Sequence, residues 1–235
     1  MVCCVVAVLV TADAANLKPI FDGRRYFEPQ PNLTPLERKT FNDVVYWQAQ
    51  RAWQDKNTCD NELEILDAAT GAYLRPRAVQ KAVLYRFCRF ARQLGYSGLA
   101  IFENGALVRH EVFEGGSEFA LGKMPDLNRD GLDELLISYS GINTGEDWMV
   151  ADIVQLDGSL TRRMTSFDGY QGFCASLEPV KLSKAWKTYV EVGATPRFYQ
   201  QEFRGLCNSS KPLVQSGRLK PVPRDTGSMG WKRLR

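Results

Sequence analysis

The stretch Asp126-Leu127-Asn128-Arg129-Asp130-Gly131-Leu132-Asp133-Glu134 constrains this chain more than any other. Oxygen-bearing side chains stand at its positions 1, 3, 5 and 9, with glycine at position 6. Such spacing turns alternate side chains toward one point, and hard oxygen donors suit a hard cation such as Ca²⁺. Gly131 supplies the turn that returns Glu134 to the others. The alternative reading of these residues is an Asx-rich turn in which Asp and Asn cap their own backbone. An EF-hand is excluded, because its twelfth position needs a bidentate Glu and holds Ile137 here. The apolar residues Leu135, Leu136 and Ile137 follow at once, so the loop runs into a buried strand rather than an exiting helix.

The stretch resembles the D-x-N-x-D-G-x-x-D/E-L loops of FG-GAP and VCBS repeats. The resemblance covers about a dozen residues of the 235, from Asp126 to Ile137. It implies Asp126, Asn128, Asp130 and Glu134 as side-chain ligands, the Leu132 carbonyl as a backbone ligand, and calcium as the ion. Glu134 departs from the Asp common at that position of the family.

Elsewhere the chain reads as hairpins. Leu99 to Phe113 encloses an Asn104-Gly105 turn, and Met149 to Phe167 encloses Asp157-Gly158. Trp186 to Phe203 encloses Gly193-Ala194-Thr195-Pro196. Residues 79–94 fit both an alternating strand and a helix ending at Gly95, with a strand over Ala82–Phe90 preferred. Leu63–Leu66 reads as a strand and Asp67–Gly71 as a turn. Before them, Thr34-Pro35-Leu36-Glu37 is a helix start, with Thr34 as N-cap, Pro35 at the first helical position and Glu37 completing a capping box. Phe41, Val45, Ala49, Ala52 and Trp53 then recur at helical spacing. The class expected is α+β and mainly β: antiparallel hairpin-rich sheets, blade-like or sandwich-like, with an N-terminal amphipathic helix. No internal repeat supports a full propeller.

The N-terminus has the pattern of an exported chain. Val2–Val10 is apolar, and Ala12-Asp13-Ala14 offers small residues before a cleavage point at Ala15. No Lys or Arg precedes the run, which places the true start upstream of Met1; a buried strand is the alternative reading. The run is too short to span a bilayer. Residues 1–14 are therefore read as a signal peptide and 15–95 as a helix-containing segment. Residues 96–207 follow as the β-rich loop domain, and 208–235 as a basic, loosely ordered tail. From Lys211 onward seven Lys/Arg face one Asp, while the whole chain carries only +3. That total is too small to argue for nucleic acid.

Export predicts disulfides among Cys59, Cys88, Cys174 and Cys207. Three pairings exist. Cys59–Cys88 and Cys174–Cys207 are preferred, because each closes a loop of about 30 residues, a constraint worth roughly 3 kcal/mol.

No G-x-S-x-G, Walker A, H-E-x-x-H or G-x-G-x-x-G occurs. The single histidine, His110, lies within an expected strand and reads as structural. Trp148, Tyr170 and Trp231 read as packing residues rather than sugar contacts. The function expected is an exported calcium-binding protein with a binding or scaffolding role toward a protein or a cell-surface polysaccharide. The alternatives are a secreted hydrolase, for which two carboxylates must face each other across a pocket, and a polymer-binding module using the basic tail.

Overall fold

A computed structural model describes residues 16–25, 29–52, 63–91, 94–115, 118–158, 160–175, 181–207, 209–225, 229 and 231–234. The expected signal peptide, Trp53 and Cys59 lie outside them.

Among the described residues, two antiparallel sheets and one interrupted helix make up the fold, which is mainly β as expected. The first sheet contains β2 (Glu64–Gly71), β3 (Gln80–Ala91), β4 (Leu94–Glu103) and β5 (Ala106–Gly115), with β13 (Lys232–Leu234) beside β5. The second runs in order from β6 (Glu118–Lys123) through β7 (Leu135–Asn143), β8 (Glu146–Asp157), β9 (Leu160–Gly172), β10 (Leu182–Glu191) and β11 (Arg197–Leu206) to β12 (Val214–Val222). β1 (Lys18–Asp22) pairs with β10 off this path.

The hairpins form where the turn chemistry allows. Asn104 and Gly105 take φ of 52° and 79°, the paired positive values that a two-residue turn needs to follow strand twist. Thr144 and Gly145 do the same between β7 and β8, with φ of 51° and 83°.

The helical segment opens on the expected capping box. Thr34 Oγ1 accepts the Glu37 N–H, and Glu37 Oε2 accepts the Thr34 N–H at 2.7 Å. α1 (Pro35–Thr40) passes through a π-helical stretch at Phe41–Val45 into α2 (Tyr46–Ala52). Phe41, Val45 and Ala49 are fully buried against the first sheet. Lys81 of β3 reaches Glu37 Oε2 at 2.6 Å and ties the helix down.

Three apolar layers result. The first lies between helix and first sheet and contains Val83, Tyr85, Phe87, Ala100 and Phe102. The second lies between the sheets: Ala82, Leu84, Leu99 and Ile101 meet Leu121, Leu135, Ile137, Val154 and Leu156. The third joins Leu136, Ala151, Ile153 and Phe167 to Phe21 of β1, Val190 of β10 and Phe198 of β11. Successive residues of one strand thus enter different layers, as the two-residue period requires. β3, β4, β7 and β8 are apolar on both faces, which is why residues 79–94 matched two periods; the segment is strand.

Three expectations change. Asp67–Gly71 is not a turn but continues β2, with a register shift between Ile65 and Asp67. The expected boundary at residue 95 falls inside β4, and the change of sheet comes between β5 and β6. The stretch after residue 207, read as loose, contributes β12 and β13. Of the cysteines, Cys174–Cys207 is bonded with S–S 2.10 Å, and Cys88 is disulfide-bonded. Cys59, the expected partner of Cys88, lies outside the described residues. No described helix is long and apolar enough to cross a membrane.

Candidate metal centre

The loop lies between β6 and β7 and is anchored at both ends. Met124 N–H donates to the Glu134 carbonyl at 2.9 Å, closing its base. Leu127 is fully buried in the third layer, and its carbonyl accepts the Gly193 N–H at 3.0 Å. Gly131 sits at φ 89°, where a side chain would be strained, and Arg129 at φ 64°.

One oxygen each from Asp126, Asp130 and Glu134 lies within 4.8 Å of the others. Two oxygens on opposite sides of a calcium ion, each about 2.4 Å from it, are about that far apart. Asn128 joins the group: its Oδ1 accepts the Asp130 N–H at 3.1 Å, and its Nδ2 donates to Asp130 Oδ2 at 3.0 Å. Leu132 donates its N–H to Asp130 Oδ1 at 2.9 Å. Asp126 caps the turn through both oxygens, accepting the Asp130 and Gly131 N–H groups at 3.1 and 2.8 Å. Those bonds hold the Asp126 and Asp130 carboxylates in place within the loop. Asp133 is placed differently. It pairs with Ala72 in both directions, N–H to carbonyl at 2.9 Å and Ala72 N–H to Oδ2 at 2.8 Å, and takes Lys123 Nζ at 3.0 Å. Position 8 therefore holds the loop onto the β2–β3 connection.

Glu134 is the unusual member. Its side chain is fully buried. Oε2 accepts the Leu127 N–H at 2.8 Å, but Oε1 is buried without a hydrogen-bond partner. Burial, reinforced by the neighbouring Asp130 and Asp126 charges, pushes its pKa up to about 8. An ionised carboxylate in such a place needs a positive partner. The one ion pair of the loop among the described residues is Lys123–Asp133, on its far side. A divalent cation with oxygen ligands fits this donor set, since it would satisfy Oε1 and offset three converging carboxylates together.

Sequence reasoning missed Gln155. It projects from β8, and its Nε2 donates to Asp130 Oδ2. It stands 25 residues after Asp130, outside any loop motif, so only the pairing of β7 with β8 brings it there.

The polar groups around His110 and Arg109 are closed by protein partners. His110 Nδ1 lies 2.9 Å from Gln48 Oε1, which can only accept, so Nε2 is left to accept the Tyr85 hydroxyl. Burial lowers the His110 pKa to about 4 and keeps the ring neutral. Arg109 is buried and donates to Glu111, to the Gly158 carbonyl at 3.0 Å and to Thr161 Oγ1 at 3.0 Å, joining β5 to the β8–β9 turn. Trp231 stacks on Phe113 at 4.1 Å, Trp148 packs edge-on against Tyr139, and the Tyr170 hydroxyl donates to Ser183 at 3.2 Å.

No known family model matches the chain, and no curated protein or solved structure matches it.

Proposed function

We propose that this chain is an exported, calcium-stabilised β protein with a binding or scaffolding role. Asp126, Asn128, Asp130 and Glu134 hold one Ca²⁺ in this reading, and the Leu132 carbonyl and water complete its shell. The observation that carries the reading is Glu134 Oε1, buried and unpartnered beside two further carboxylates. An Asx turn needs its side chains only as caps, and Asp126 and Asn128 supply those. It gives no reason to bury a third carboxylate with an oxygen left over. The likeness of the loop to FG-GAP and VCBS repeats supports calcium as the ion. The Cys174–Cys207 bond and the oxidised Cys88 support export, because disulfides persist in oxidising compartments.

The ion is structural in this reading. It binds the folded form alone, and at a hundredfold excess over Kd adds about 2.7 kcal/mol. An affinity of roughly 10⁻⁴–10⁻³ M is enough outside the cell. Titration calorimetry should record uptake of one Ca²⁺ per chain, and EDTA should lower the melting temperature. Asp126→Ala and Asp130→Ala should abolish both responses. A melting temperature indifferent to EDTA, with no uptake at millimolar calcium, reduces the loop to a turn.

A further inference from the structure

The second sheet splits between β9 and β10. These strands pair only where Tyr170, Gln171 and Gly172 meet Ala185, Lys184 and Ser183. Beyond that point β9 diverges, and a cleft of about 340 Å³ opens between it and the face of β10–β12. Its size lies at the lower end of the roughly 300–1,000 Å³ of small-molecule sites.

The registers show what the wall offers. Trp186 of β10 stands opposite Glu202 of β11, which stands opposite Ser216 of β12. The next row on the same face is Thr188, Gln200 and Lys220. Trp186, Gln200, Glu202, Ser216 and Lys220 all line the cleft, with Asp168 of β9 across from them. Gln200 spans the gap, its Nε2 donating to the Asp168 carbonyl at 2.7 Å and to Thr188 Oγ1 at 3.3 Å. The amide is thereby oriented from two sides.

We propose that this cleft binds a neutral saccharide. A pyranose ring presents an apolar C–H face and a rim of hydroxyls that both donate and accept. The half-buried Trp186 supplies an aromatic surface for the first. Carboxylates, an amide, a hydroxyl and an ammonium group, set by strand register, supply partners for the second. Asp168, and Glu202 in its pair with Arg204, stand beside Arg218 and Lys220, so the lining carries both signs of charge and favours a ligand without a strong charge of its own. A purely apolar ligand would strip water from these polar groups without replacing it. The inference is independent of the calcium site, which lies on the β6–β7 loop.

The test uses the full chain labelled with ¹⁵N and titrated with cellohexaose, xylohexaose, mannohexaose and the hexamer of N-acetylglucosamine. At least one sugar should shift the Trp186 indole N–H resonance, with saturation below about 10 mM. Trp186→Ala and Glu202→Gln should each weaken that binding at least roughly tenfold. Trp148→Ala, outside the cleft lining, should leave it unchanged. Glu202→Gln keeps side-chain shape and carries the test should Trp186→Ala fail to fold. No shift with any of the four sugars overturns the proposal, and so does binding that survives both cleft substitutions.

Discussion

Asp67 and Glu134 are both buried carboxylates, and they are treated in opposite ways. Asp67 is 1 % exposed and sits at the irregularity in β2. Its Oδ1 accepts the Gln30 and Ala68 N–H groups at 2.7 and 2.8 Å, and its Oδ2 accepts Leu121 N–H of β6 at 2.7 Å. One side chain thus joins the lead-in segment, the edge of the first sheet and the edge of the second. Glu134 is fully buried with one backbone donor and one empty oxygen. The difference teaches how to separate structure from function here. A carboxylate filled by backbone donors is a fastening, while one left half-filled among like charges is, in the reading proposed above, a ligand to a cation.

The comparison breaks most visibly at Asp67. Asp67→Ala strands three N–H groups at a sheet junction, and its cost should be about 3–5 kcal/mol in chemical denaturation, with or without calcium. A loss under 1 kcal/mol would mean that water replaces the carboxylate and that it fastens nothing.

Glu134 should behave in the reverse sense and depend on pH. Its folded pKa is raised, from 4.5 to about 8. The contribution of such a group is fully present below the unfolded value and is lost as pH rises through the folded one. In EDTA the protein should therefore lose about 2–4 kcal/mol of stability between pH 5 and 8.5. Glu134→Gln should remove that slope and leave the calcium-free protein the more stable of the two at pH 8.5. Parallel pH curves for wild type and variant would show that Glu134 ionises without penalty.

Calcium should then restore what ionisation removes, about 2.7 kcal/mol at a hundredfold excess over Kd. The gain should be absent in Glu134→Gln and present in Asp67→Ala, provided that variant folds. A calcium gain retained by Glu134→Gln would place the ion elsewhere.

How far these regions are legible in the sequence follows from the range of their contacts. The loop is written in nine consecutive residues, and the capping box in four, so both could be read directly. The Asn104-Gly105 hairpin needs only the positive φ of its two turn residues. Asp67 was read as part of a turn, because its role depends on Leu121, 54 residues away, and on a strand irregularity that residue types do not announce. β12 looked like a tail, because an edge strand is mostly exposed and its charges resemble those of a disordered end. Only pairing with β11 orders it. Gln155 carried no signal in the sequence, since a single amide becomes part of the loop through strand register alone.

The smallest effect sharpens the comparison within the loop itself. Asp133 is flanked by Leu132 and Glu134, yet it belongs with Asp67 in kind: its partners are Ala72 and Lys123, and both are protein. The Lys123 pair is half exposed and contributes little. The bond from the Ala72 N–H is the larger part, so Asp133→Ala should cost about 1 kcal/mol. That cost should be equal in calcium and in EDTA, leaving the calcium-induced rise in melting temperature at its wild-type size. The matching substitution Asp126→Ala should do the opposite, removing the rise. Should Asp133→Ala also erase the calcium response, the latch onto Ala72 and the ion site would be one cooperative unit, and the division between fastening and ligand would fail inside this loop.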